Sequence, residues 1–176
     1  GMATAEYRHF CVLRDRLAEL GVDPQEAMTP FRAAIDGFHA QTAPSDWLEG
    51  LVKAYVGDQL AADFYTEIAA FLDAGTRRLV VDSLDDAGHA DFVVSRVRQA
   101  IEEDHRVSGR LALWGRRLMG EALSQAQRVA AERDSLAALL AGGVDRPGLD
   151  LAALTRMFSR LTEGHANRME TLGLSS

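Results

Sequence analysis

"WLEGLVKAYVGDQLAADFYTEIAAFL", residues 47–72, decides the fold. The stretch has no proline, is too long for a strand, and repeats its apolar residues at the three- and four-residue spacing of a helix face. At about 100° per residue, a wheel centred on Asp58 gathers Trp47, Leu51, Ala54, Tyr55, Ala61, Ala62, Tyr65, Ala69 and Leu72 into one stripe. Glu49 and Glu67 fall on the opposite side, where solvated carboxylates belong. Ser45 or Asp46 is placed to cap the start, and "DAG" at 73–75 marks the end. Asp58 in mid-stripe is the anomaly, because a buried carboxylate is costly without a partner. Gly57 beside it hints at close approach by a neighbour.

Three further long helical patterns follow, over about 76–102, 107–140 and 149–172, with "AGGVDRPG" at 141–148 as a clear loop. Before them, residues 5–20 form a short amphipathic helix stopped at Gly21, and a second helix starts at Asp23 as N-cap with Pro24 in its first position. The expected architecture is all-α: an up-and-down four-helix bundle over residues 46–176, with a short N-terminal helical arm over residues 1–45 packed on it, one domain overall.

Composition agrees. The chain has 176 residues, 47% of them hydrophobic, which suits one sizeable core, and its four prolines and few aromatics favour helices over a sandwich or barrel. A formal net charge of -7 argues against a DNA-binding role. The single cysteine, Cys11, cannot form an internal disulfide. With no apolar stretch resembling a signal peptide or membrane span, the expectation is a soluble, cytoplasmic protein with no membrane partner.

Ionisable residues recur on apolar faces. In "DDAGHADFVV", residues 85–94, Asp86 and His89 share a helix face with Leu79, Val93 and Val97, and His165 stands among Leu154, Phe158, Leu161, Met169 and Leu172. If the first two long helices form one hairpin and the last two another, Asp58 meets Asp86 in height and Glu121 meets His165. One carboxylate from each of two helices, with a carboxylate-x-x-His from the others, is the ligand set of bundle di-iron and di-manganese proteins. Carboxylates bridge and neutralise two cations while imidazoles add directional ligands. Asp58, Asp86, His89, Glu121 and His165 are therefore the candidate metal ligands, with iron or manganese as the candidate metal. Position 162, three before His165, is threonine where the pattern calls for a carboxylate.

Residues 46–73, continued by 85–134 from "DDAGHADFVV" to "AAERD", resemble the actinobacterial ferritin-like proteins grouped with the tRNA isopentenyladenosine hydroxylases. The resemblance covers about residues 24–140. It implies a ferritin-like bundle and, for the hydroxylase relatives, a di-iron site that activates dioxygen to hydroxylate a prenyl group on a tRNA adenosine. Carried over, Asp58 and Glu121 are the carboxylates of the first and third helices, Asp86 and His89 the pair of the second, and His165 the histidine of the fourth. The chain departs from the pattern with aspartate at two positions and Thr162 at a third.

Each feature has a plainer alternative. Asp86 can complete a capping box begun by Ser83, which requires a helix break near "VVDS". His165 can be an ordinary core histidine. Asp58 can pair with Arg117 or Arg128. Tyr55, Tyr65 and Thr162 can line a substrate pocket or simply pack. Arg106, Arg110, Arg116 and Arg117 can meet RNA phosphate or form salt bridges with the acidic run at 102–104. "DGFH" at 36–39 repeats the Asp-x-x-His spacing without matching carboxylates. Two functions stand: an iron-dependent oxidoreductase acting on a small molecule or a modified tRNA nucleoside, and a metal-free binding or structural protein that keeps the bundle. The amphipathic arm makes a homodimer the expected assembly.

Overall fold

The computed structural model describes residues 2–84, 90–142, 148 and 150–175. It is all-α, with no strand among the described residues. The helices are α1 (Met2–Glu19), α2 (Pro24–Met28), α3 (Arg32–Gln41), α4 (Trp47–Ala69), α5 (Ala74–Asp82), α6 (Ala90–Glu103), α7 (Arg106–Glu132), α8 (Asp134–Ala141) and α9 (Leu151–Thr171), with a single 3-10 turn at Thr29–Phe31.

Aspartate caps set four of the starts. Asp23 accepts from the Glu26 amide at 2.8 Å, Asp46 from the Glu49 amide at 2.9 Å, and Asp150 from the Ala153 amide at 2.6 Å. Asp73 takes the amides of Gly75 and Thr76, both at 3.0 Å. Three expected helices are interrupted. The second helix of the arm passes through the 3-10 turn that contains Pro30, whose ring cannot donate to the ladder. The pattern expected over 76–102 closes early: Ser83 ends α5, its hydroxyl donating to the Val80 carbonyl at 2.7 Å. The break required by the capping alternative therefore exists near "VVDS"; the other half of that alternative, Asp86, lies outside the described residues. The pattern over 107–140 divides at Arg133, whose extended backbone separates α7 from α8.

Helices α4, α6, α7 and α9 enclose the core, with α3 laid on α7. Val52, Val56 and Leu60 of α4 meet Val97 of α6, Leu111 and Leu118 of α7, Leu161 and Met169 of α9, and Leu172 just past its end in one buried cluster. Apolar surface removed from water stabilises this contact by about 25 cal/mol per Å². The C-terminal ends of α6 and α9 are joined by Arg98, whose Nε donates to the Thr171 carbonyl at 2.8 Å. In the arm, α1 touches α2 and α5 and leaves Tyr7, Phe10, Val12, Leu13 and Leu20 exposed. No helix among the described residues is long and apolar enough to cross a membrane.

The face that α4 buries differs from the expected one. The buried line runs through Val52, Val56 and Leu60, whereas Trp47 is 66% exposed and Asp58, Ala61 and Tyr65 are exposed as well. Asp58 lies about 120–160° around the helix from that line. The wheel counted each alanine as equal to a valine or leucine. Burial scales with apolar area, so two valines and a leucine outweigh a stripe rich in alanine. Gly57 has no atom within 4 Å of where a Cβ would stand, so no neighbour approaches closely there.

Glu49, expected in water, is 7% exposed and ties three elements together. Its Oε2 accepts from the Ser45 amide and hydroxyl, both at 2.7 Å, and its Oε1 accepts from Arg110 Nη1 of α7 at 2.6 Å. Trp114 Nε1 donates to the Glu49 carbonyl at 3.0 Å, and Arg110 Nη2 reaches Asp46 at 2.6 Å. Burial alone would push the Glu49 carboxyl up, but the bonds from Ser45 and Arg110 hold it below the usual carboxylate range. Its charged form therefore stabilises the fold above the unfolded-state value, and that contribution is lost as pH falls through the folded one. Arg110→Met is expected to cost about 1–3 kcal/mol in urea unfolding at pH 7, and less as pH falls far enough to protonate Glu49.

Candidate functional site

Along "RLTEGHANRME", residues 160–170, α9 turns Leu161, His165, Arg168 and Met169 inward at helical spacing. His165 is 5% exposed and Arg168 8%. The inward placement of His165 is as expected from the sequence. A guanidinium in a core needs a carboxylate, and α4 supplies it: Arg168 Nη1 donates to Asp63 Oδ2 at 2.7 Å. Two turns earlier on α9, Arg160 grips Glu67 with Nε on Oε1 and Nη2 on Oε2, both at 2.6 Å. The order of the pairs, 160 with 67 and 168 with 63, sets α9 antiparallel to α4.

Between these pairs lies a cleft of about 230 Å³, lined by Asp63, Thr66, Glu67, Arg160, Leu161, Gly164 and Arg168. A Cβ at Gly164 would stand 2.9 Å from Asp63 Oδ2 and 3.4 Å from Arg168 Nη2, so a larger residue there would press on the ion pair. On the other side of α9, Gly115 of α7 lies under Met169, and a Cβ at Gly115 would meet the Met169 thioether and lie 4.0 Å from His165 Cε1. Among the described residues, neither ring nitrogen of His165 finds a hydrogen-bond partner, nor do the buried Nε and Nη2 of Arg168. Burial, and after it the Arg168 charge, lower the His165 pKa below the ordinary histidine value, so the ring is neutral.

Of the other expected site residues, those that are described do not join His165. Asp58 is exposed on the far side of α4. Glu121 is half-buried and accepts from Gln125 Nε2 at 2.8 Å; it sits about 120° around α7 from Gly115, and Gln125 packs on Gly37 of α3, so this pair belongs to the arm side of α7. Tyr55 is half-buried against the core, Tyr65 is 48% exposed with its ring edge to Phe64, and neither borders the cleft. Thr162 is exposed and its hydroxyl returns to the Phe158 carbonyl at 2.9 Å. Asp86 and His89 lie outside the described residues. His39 of "DGFH" is exposed, its ring edge to Phe38. Among the described residues no three of His, Cys, Asp or Glu gather as a metal site requires.

Among the described residues, the donors around His165 do not suit a dication. A metal would need unpaired carboxylates, yet Asp63 and Glu67 are each already held by an arginine, and Arg168 sets a positive charge beside the imidazole. The surface arginines are likewise engaged by the protein: Arg110 with Asp46 and Glu49, Arg106 with Asp104, Arg116 with the Ser175 carbonyl, and Arg117 over the Trp114 ring. Of the four, only Arg106 meets the acidic run at 102–104 among the described residues. Sequence reasoning missed Asp63, Glu67, Arg160 and Arg168. The signal for Arg168 was available, since it follows His165 by three and shares its face, but the search there was for a carboxylate three before.

Unfolded histidine protonates near about 6.5, and the folded state resists that proton, so stability is lost as pH falls below about 6.5 toward the depressed folded value. The melting temperature is expected to fall between pH 7.5 and 5.5, and His165→Phe to flatten that slope. Gly115→Ala is expected to cost about 1–3 kcal/mol by overpacking Met169, with Met169→Ala in the same chain recovering part of the loss in denaturant titrations.

No curated protein matches the chain. A family model described as a ferritin-like domain of actinomycetes matches residues 1–143, from the arm through α8, and stops before α9. The matched part spans most of the four-helix core as well as the arm, and so the chain belongs to the ferritin-like domain family of actinomycetes.

Proposed function

We propose that this ferritin-like protein works without a metal, as a binding protein whose site is the cleft between α4 and α9. The observation that carries this reading is the Arg168 and Asp63 ion pair beside His165. In a bundle metalloprotein, inward carboxylates neutralise metal cations. Here Glu49, Asp63 and Glu67, the carboxylates that α4 turns toward its neighbours, are neutralised by Arg110, Arg168 and Arg160. The arginines do the electrostatic work of an ion and are part of the chain.

A second reading is the oxidoreductase implied by the resemblance to tRNA isopentenyladenosine hydroxylases, with iron or manganese supplying dioxygen chemistry. One observation favours it: His165 is buried, its pKa is lowered toward the neutral ring, and neither nitrogen has a partner among the described residues, the state in which an imidazole ligates. Its companions would be Asp86 and His89.

Elemental analysis of protein expressed with added iron, read beside melting curves with and without a chelator, decides between them. The first reading expects substoichiometric metal and one melting temperature in both conditions. Stoichiometric iron that disappears in His89→Ala, with a chelator-sensitive melt, would overturn it in favour of the second.

A further inference from the structure

We propose that the arm is a self-association surface: the outward face of α1, along Tyr7, Phe10, Leu13, Leu17 and Leu20, docks on the same face of a second copy of this chain. The inference concerns assembly and is independent of what the cleft between α4 and α9 holds.

The bundle covers most of its large apolar residues and the arm does not. Of the fourteen large apolar residues left most exposed among the described ones, nine lie within residues 7–35, so uncovered apolar surface is concentrated in the arm. None of the described side chains of α1 is buried, and the main contacts of α1 within the chain are with α2 and α5. Helices in proteins draw most of their stability from packing an apolar face, and the chain supplies little of that packing to α1.

The spacing and the charge identify the occupant. Phe10, Leu13, Leu17 and Leu20 recur at intervals of three, four and three residues, the seam by which one helix interlocks with another like it, and Tyr7 stands at its edge. In α1, Arg8, Arg14 and Arg16 balance Glu6, Asp15 and Glu19, whereas the chain as a whole carries -7, so the acidic excess lies outside this helix. Arg14 is held by Asp15 at 2.6 Å and Arg16 by Glu19 at 3.0 Å, both within α1. A neutral face selects neither a basic nor an acidic partner. It is also where two copies of an acidic chain approach with least repulsion. One patch used by both copies is the self-complementary contact of a two-fold dimer.

The area is sufficient. Tyr7, Phe10, Leu13 and Leu20 are between 41% and 64% exposed, and at roughly 100 Å² each they leave about 400 Å² of uncovered apolar surface per copy. Interfaces are about 60% apolar, so that much apolar contact belongs to a total of about 650 Å² per partner, within the roughly 600–1,000 Å² per partner of a standard interface.

The test is sedimentation velocity of the whole chain in reducing buffer, over a micromolar to submillimolar concentration series. Wild type is expected to show a monomer and dimer in equilibrium, the larger species at twice the 19.2 kDa chain mass. Leu13→Glu and Phe10→Glu, read separately, each place a charge in the seam and are expected to raise the dimer dissociation constant at least about tenfold. Val12→Glu, on the same helix but about 120° from the centre of the seam, is expected to leave it within about twofold of wild type. All three positions are exposed, and circular dichroism melting curves show that each variant keeps the bundle. A wild type that stays monomeric throughout the series overturns the inference, as does a dimer that both folded seam variants retain undiminished or that Val12→Glu weakens equally. None of these results bears on the cleft or on metal content, so the metal-independent reading stands or falls separately.

Discussion

The structure turns on carboxylates that α4 carries toward its neighbours. Glu49, Asp63 and Glu67 sit on or beside the helix face that packs, and each meets an arginine from another helix. The Glu49 pair joins α4 to α7 at the start of the helix, where the same residue also closes the turn through Ser45. The Asp63 and Glu67 pairs join α4 to α9 farther along and run in opposite chain order, which excludes a parallel α9. Such pairs add little net energy at the surface, because water screens them and long side chains lose freedom. Their weight here is in register: sliding α9 by one turn would leave Arg168 buried without Asp63, and an uncompensated buried charge is strongly unfavourable.

That constraint also shapes the chemistry of the interior. His165 occupies a place where an imidazole could ligate, yet its near neighbour on the helix is a cation held by the carboxylate that a metal would want. Desolvation and the Arg168 charge act in the same direction on the imidazole, both favouring the neutral ring. The same arginine has more donors than Asp63 can occupy. Two glycines keep the arrangement possible, Gly115 by admitting Met169 under α7 and Gly164 by standing where a methyl group would press on the ion pair.

Membership in the ferritin-like domain family accounts for the bundle and says less about the site. The family match ends before α9, the helix that brings His165, Arg160 and Arg168 to the cleft. Function is carried by sites built on a fold, so a resemblance to hydroxylases over the earlier helices transfers the scaffold more securely than the reaction. The region most relevant to a metal, residues 85–89 with Asp86 and His89, lies between α5 and α6 and outside the described residues.

Local chemistry was legible in the sequence. Aspartates at 23 and 46 cap helices because a short carboxylate reaches the amide three residues on, and Pro24 starts a helix because its position needs no N–H donor. The inward turn of His165 followed from large apolar neighbours at helical spacing. Asp58 was misplaced because periodicity alone weighs alanine like valine, while packing responds to the area each side chain buries. Glu121 was set level with His165 by residue counting, but height along a helix does not specify which neighbour a side chain faces. The amino-acid sequence by itself therefore determined the all-α class and the capped starts at Asp23 and Asp46, since these depend on contacts a few residues apart. Tertiary structure alone decided which face of α4 is buried and which arginine meets which carboxylate, because those outcomes depend on the rotation and register of helices distant in the chain.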